Sequence, residues 1–326
     1  MTELVDPATP VPHDEVRRYL EQSSPSPAPW TRDIAVLRRE TRAAAMAARG
    51  GLEPVGAVRA FSVAGVPARL YEPAGPPSAG GQPASSGRNV LVWLHGGGWM
   101  HGDLDCYEGV ARAFANRAGC AVLAVDYRLA PEYPFPAGFD DAWAAVEWSA
   151  ASFDRVAVAG DSSGGNLAAA AALKARDENV RLAAQVLVYP VLESRADTDF
   201  KRAFQARYAR FANQADFGAD SFERISYIWD TYAPDRSVRD SPYASPAHAG
   251  TLRGVAPAVI ITAEHDILRR EAQDYARRLG VDGVPAALRD YPGQIHGFFQ
   301  MRGVMSAARD AMNVAAEYLK REFDRR

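Results

Sequence analysis

Short apolar runs recur along the chain, and most are apolar on both faces. VLVWL at 90–94, AVLAV at 121–125, VAVAG at 156–160, AAQVLVY at 183–189 and AVIITA at 258–263 lack the alternation of a half-exposed strand. They predict strands of a parallel sheet that is covered on both sides. The stretches between them predict helices near 107–118, 138–151, 165–177 and 269–279; Leu268, Ala272, Tyr275, Ala276 and Leu279 form a stripe on the last of these. A final helix near 305–323 carries Met305, Ala308, Met312, Ala315, Leu319 and Phe323 on one face. Two earlier strands are expected near 57–63 and 67–72, and one more at 285–291. Alternation of strand and helix over this length predicts an α/β fold, a mostly parallel, doubly wound sheet with helices on both faces.

Two regions depart from the alternation. The first 30 residues are rich in Pro and Ser, with one short helix expected at 13–22. Residues 31–49 then predict an amphipathic helix, with Ile34, Leu37, Thr41, Ala44, Ala45 and Ala48 on one face and Gly50-Gly51 as its stop. Residues 195–235 carry Phe200, Phe204, Tyr208, Phe211, Phe217, Phe222, Tyr227, Trp229 and Tyr232 at spacings of helical type. These aromatics fit ordinary core packing and a pocket lining equally well. The expected organisation is a cap segment at 1–50 and a main domain at 51–326, with a cap insertion around 195–235. The stretch 73–88, mostly Pro, Gly, Ser and Ala, reads as a flexible surface loop.

Charge and composition narrow the function. Lys plus Arg number 37 against 40 Asp plus Glu, a formal net charge of −3. A nucleic-acid partner is therefore not expected, because it calls for a basic face. No apolar run has membrane-spanning length, so stable membrane insertion is not expected either. The N-terminus lacks the basic and apolar regions of a secretory signal, and two cysteines, Cys106 and Cys120, make no disulfide framework. Both point to a cytoplasmic protein.

The sharpest chemical signal is Gly160-Asp161-Ser162-Ser163-Gly164-Gly165-Asn166. It follows an apolar strand and opens an Ala-rich helix, which is the context that lifts Ser162 to the tip of a tight turn as a nucleophile. No Lys follows, so a phosphate-binding loop of the Walker type does not fit. His95-Gly96-Gly97-Gly98-Trp99 follows the strand at 90–94. Three consecutive glycines leave backbone N–H groups uncovered, and such donors can hold a developing oxyanion. Asp266 lies just past the strand at 258–263, and His296 in a loop past the strand at 285–291. The order Ser162, Asp266, His296 matches that of the Ser-His-Asp hydrolases built on α/β sheets. Glu264 and Asp290 are rival acids. His13, His95, His101, His248 and His265 are rival bases with poorer placement.

HGGGW at 95–99, YRLAPE at 127–132, GDSSGGN at 160–166, HDIL at 265–268 and YPGQIHGF at 291–298 together closely resemble the bacterial hormone-sensitive-lipase-like serine esterases over roughly 55–320. The resemblance implies an α/β-hydrolase fold with a helical cap. It also implies an oxyanion hole from the amides of Gly97, Gly98 and Ser163, and no metal or organic cofactor. The family usually has Ala after the nucleophile and Pro after the acid; this chain has Ser163 and Ile267, which leave the amide and the carboxylate in place. YRLAPE reads as a structural turn, and Asp161 as a brace for the elbow. The expected activity is hydrolysis of short- to medium-chain acyl esters, with a small-molecule ester as partner and room for a homodimer. An amide or lactone hydrolase with the same triad is an alternative. So is a non-catalytic ligand receptor, although such relatives typically lose the histidine that is present here as His296.

Overall fold

The computed structural model describes residues 13–22, 31–74, 89–208 and 222–325. Eight strands form one sheet: β1 (Ala57–Val63), β2 (Val66–Glu72), β3 (Asn89–Leu94), β4 (Ala121–Val125), β5 (Arg155–Asp161), β6 (Ala184–Val188), β7 (Ala258–His265) and β8 (Ala286–Ile295). Their spatial order is β1-β2-β4-β3-β5-β6-β7-β8. β1, β2 and β4 pair antiparallel, and all later pairings are parallel. The double-sided apolar runs became the inner strands as expected: every residue of β6 is buried, and all but the first of β3 and β5. β1, mostly exposed or half-buried, is an edge strand.

The helices follow the predicted alternation. α3 (Glu108–Ala118) packs with α9 (Ser306–Asp324), and α4 (Ala137–Ser152) packs with α5 (Ser163–Asp177). Both pairs span the middle of the sheet, so they occupy opposite faces. α8 (Arg269–Val281) lies on β7 and β8. From β3 the chain crosses to β4 on one side, and it then returns to β5 on the other. A crevice opens where strand order reverses in this way, at the carboxyl ends of the strands. The glycine turn after β3 and the serine turn after β5 both lie there.

Four more helices lie outside this alternation: α1 (Asp14–Gln22), α2 (Ile34–Ala48), α6 (Asp199–Tyr208) and α7 (Phe222–Tyr232). Asp33 caps α2, its side chain accepting from the Ala35 amide at 2.8 Å. Arg38 then pins α2 to the YRLAPE turn. It donates to both carboxylate oxygens of Glu132 (2.7 and 2.6 Å) and to the carbonyls of Met100 and Ala130. That turn is thus structural, as expected. Most of the stretch expected to be a surface loop, and Phe211 and Phe217, lie outside the described residues. Among the described residues no helix is long and apolar enough to cross a membrane. Cys106 and Cys120 are buried free thiols, and burial pushes both up to about 12.

Candidate active site

Ser162 sits between the last residue of β5 and the first of α5, at φ +54° and ψ −119°. A side-chain-bearing residue adopts such backbone angles only when its surroundings hold it there. The Ser162 amide donates to the Val188 carbonyl at 2.8 Å, and its carbonyl accepts from Asn166 and Val191. Gly164 explains the glycine spacing of the motif. A Cβ there would lie 2.1 Å from the Leu94 carbonyl oxygen, so only glycine lets the elbow press against β3. α5 begins at Ser163, two residues before the expected start, and this puts the Ser163 amide at a helix N-terminus.

Asp266 and His296 leave the ends of β7 and β8. His296 Nε2 lies 2.9 Å from Ser162 Oγ, and Nδ1 lies 2.8 Å from Asp266 Oδ2. Asp266 is fully buried, and its other oxygen accepts the Leu268 amide at 2.7 Å. The His296 ring leans on Tyr189 at 4.6 Å between centroids. The rival residues are engaged elsewhere. Glu264 accepts from the Gly293 amide, and Asp290 from Thr262 and Arg269. His95 stacks on Tyr127 at 4.4 Å, with Nδ1 against the Gly96 carbonyl; burial lowers its pKa. His248 lies between Glu193 and Asp240. His13 is anchored beside Gly293, and His265 is buried at the end of β7. His296 follows a strand directly, not a loop: β8 runs four residues beyond its expected end.

The glycine turn is held against the elbow. Asp161 accepts the Gly96 amide at 2.7 Å on one oxygen and the Tyr107 hydroxyl at 3.0 Å on the other. It is the brace expected from the sequence, and burial pushes its pKa up to about 6. Gly97 has φ +124°, and a Cβ there would lie 1.9 Å from the His101 carbonyl oxygen. No other residue type fits that turn.

Gly97, Gly98, Ser162 and His296 line a cavity of about 220 Å³. α2 contributes Thr41, Ala44, Ala45 and Ala48, while α7 contributes Arg224, Ile225, Ile228 and Trp229. Trp229 answers both readings of the aromatic insertion. It lines the cavity, and it packs on Trp99 (5.0 Å) and Tyr232 (5.9 Å) while almost fully buried. Phe204 is buried but does not line this cavity. Sequence reasoning missed His101, Arg224 and the α2 alanines as wall residues. Desolvation, then the charge of Arg224, lowers the His101 pKa to about 3. No local motif marks these positions; helix docking brings Arg224 and the α2 alanines to the cavity, and His101 reaches it on the loop after the glycine turn.

The sequence matches a family model described as alpha/beta hydrolase fold over residues 91–300. Carboxylesterase NlhH of Mycobacterium tuberculosis is 39% identical over 244 residues, covering 71% of this chain and 73% of that protein. The ethyl acetate hydrolase of Pseudomonas putida is 33% identical, covering 79% of each. Among solved structures, an esterase of Pyrobaculum calidifontis superposes with a TM-score of 0.80 at 31% identity, covering 96% of this chain and 99% of that one.

Proposed function

Since the chain belongs to the hormone-sensitive-lipase-like family of α/β-hydrolases, and is a carboxylic ester hydrolase, we propose that it cleaves short- to medium-chain acyl esters through Ser162, His296 and Asp266. One observation carries this reading: an unbroken run of contacts from Ser162 Oγ through His296 to buried Asp266 at the wall of the cavity. Ser162 Oγ attacks the ester carbonyl carbon while His296 Nε2 takes its proton. Asp266 keeps the Nδ1 proton in place and balances the imidazolium. The carbonyl oxygen, now negative, is held by the amides of Gly97, Gly98 and Ser163. His296 then gives its proton to the departing alkoxide, the alcohol leaves, and an acyl-Ser162 remains. Water, deprotonated by His296, attacks that acyl group; the bond to Ser162 Oγ breaks, His296 returns the proton to Oγ, and the carboxylic acid is released.

The helices α1 and α2 and the insertion 195–235 act as the cap, and their side chains set the substrate range. Ile228 and Trp229 narrow the cavity, and its volume of about 220 Å³ favours small acyl groups. The free, buried cysteines are in keeping with action in the cytoplasm. A series of p-nitrophenyl esters of rising acyl length tests the reading. kcat/KM should peak at or below about eight carbons, because each further methylene would meet steric strain in place of its transfer gain of about 0.8 kcal/mol. An optimum on long-chain triglyceride emulsions would refute it.

A further inference from the structure

One short stretch beside the elbow touches both partners of the proposed proton transfer. At the end of β6 the Val188 carbonyl accepts the Ser162 amide at 2.8 Å, and the Val191 amide donates to the Ser162 carbonyl at 3.2 Å. Tyr189 and Pro190 stand between these two contacts. A Cβ on Gly165, in the first turn of α5, would meet Pro190 Cβ at 2.9 Å, so the stretch is pressed against the helix behind Ser162. The Tyr189 amide donates at 2.7 Å to the Ile261 carbonyl of β7, the strand that leads to Asp266. Residue 189 is thus fixed to the elbow on one side and to the strand before the acid on the other.

The backbone of Tyr189 is left-handed, at φ +33°. A residue with a side chain keeps such an angle only where its surroundings over-determine it, and such positions cluster at functional sites. The side chain carried there is fully buried. Its ring lies 4.6 Å from the His296 ring at an inclination of 53°, and 5.9 Å from the Phe298 ring, edge to face. Tyr189 therefore meets the histidine loop at two points. Burial, then the charges of Asp161 and Asp266, push its hydroxyl pKa well up, so the ring stays a neutral phenol. The contacts of His296 with Asp266 and Ser162 act at Nδ1 and Nε2, within the plane of the imidazole, and leave the tilt of that plane to packing. Tyr189 supplies that packing. An aromatic ring within about 6 Å also attracts a cation through its quadrupole, so the contact strengthens as His296 takes the serine proton. Tyr189 does not line the cavity, so it can act on a substrate only through His296.

We propose that Tyr189 is a positioning residue of the reaction: its ring holds the His296 imidazole in place beside Ser162 and steadies it as the imidazolium. The proposal rests on the triad reading and adds a residue to it. Steady-state kinetics on p-nitrophenyl butyrate test it in the wild type, Tyr189→Phe, Tyr189→Leu and His296→Ala. Tyr189→Leu removes the ring and should lower kcat by about tenfold or more, within the range expected when a reacting group is slightly misplaced. Its KM should change by less than about threefold, because the cavity wall is untouched. Tyr189→Phe restores the ring and should recover kcat to within about threefold of the wild type. Wild-type kcat in Tyr189→Leu, a loss carried by KM, or equal losses in Tyr189→Phe and Tyr189→Leu would overturn the proposal; an inactive His296→Ala would leave the triad standing. Wild-type turnover in His296→Ala would instead overturn the triad reading, and the role of Tyr189 with it. Should Tyr189→Leu not fold, pentafluorophenylalanine at 189 takes its place, since it keeps a ring and reverses the charge of its face. Its kcat should then fall about threefold or more below that of Tyr189→Phe, the scale of a cation–π contact, and equal kcat would overturn the proposal.

Discussion

The two sides of the cavity are built by different rules. The side proposed to be reactive stands on strand ends. Ser162, Asp266 and His296 each follow the last residue of a strand, and backbone hydrogen bonds fix the elbow around Ser162. The opposite side is two helices held by side chains. α2 is tied down by Arg38 to Glu132 and by Arg42 to Asp103 and Asp105. α7 is held by the packing of Trp229 and Tyr232 on Trp99. The proposed chemistry thus sits on the part of the molecule that cannot shift without breaking the sheet. The proposed selectivity sits on the part whose side chains can change while the sheet stays intact.

If that division is right, changes on the sheet side should abolish turnover and leave the fold alone. Ser162→Ala should lower kcat by roughly 10⁶ and Asp266→Asn by roughly 10⁴, with thermal unfolding close to wild type in both. A comparable loss of turnover from any single change on α2 or α7 would break the comparison. Trp229→Ala probes the helical side. It removes a buried ring, at about 3–5 kcal/mol of stability, and because the ring also lines the cavity it should move the acyl optimum toward longer chains. Lost stability with an unchanged optimum would make Trp229 a packing residue only.

The smallest expected effect sharpens the boundary between the two sides. Burial raises Asp161 from an ordinary carboxylate value of 3.8 to about 6. The folded state therefore holds a proton that the unfolded state has released between those values. Stability attributable to Asp161 should fall as pH rises through that window, by about 3 kcal/mol in all. Denaturant unfolding of wild type and Asp161→Asn from pH 4 to 7 checks this. The wild type should lose ground against the variant up to about pH 6 and hold level above it. A pH-independent difference would mean that Asp161 is ionised throughout.

How far the sequence could be read follows the same division. Strand runs and glycine turns are local, so Ser162, Asp266, His296 and the turn at Gly96–Gly98 could be picked out from residue types and order. The end of β8 was misjudged because Pro292 and Gly293 are ordinary breakers of a strand. β8 is an edge strand, and its pairing with β7 has an irregularity between Ala263 and His265. Gly293, at φ +69°, lies in the stretch opposite that irregularity, where a sheet tolerates such backbone. His101 and Arg224 were not legible at all. Arg224 reaches the wall through the docking of α7 near the glycine turn, which no spacing within α7 encodes, and His101 reaches it on the loop that follows that turn.

The central claim is that Ser162 is the nucleophile, activated by His296. Mass spectrometry of the protein after treatment with an organophosphate ester tests it most directly. The account predicts one adduct, on Ser162, formed far more slowly in His296→Ala. An adduct on Ser163, or labelling of Ser162 at the same rate without His296, would contradict it.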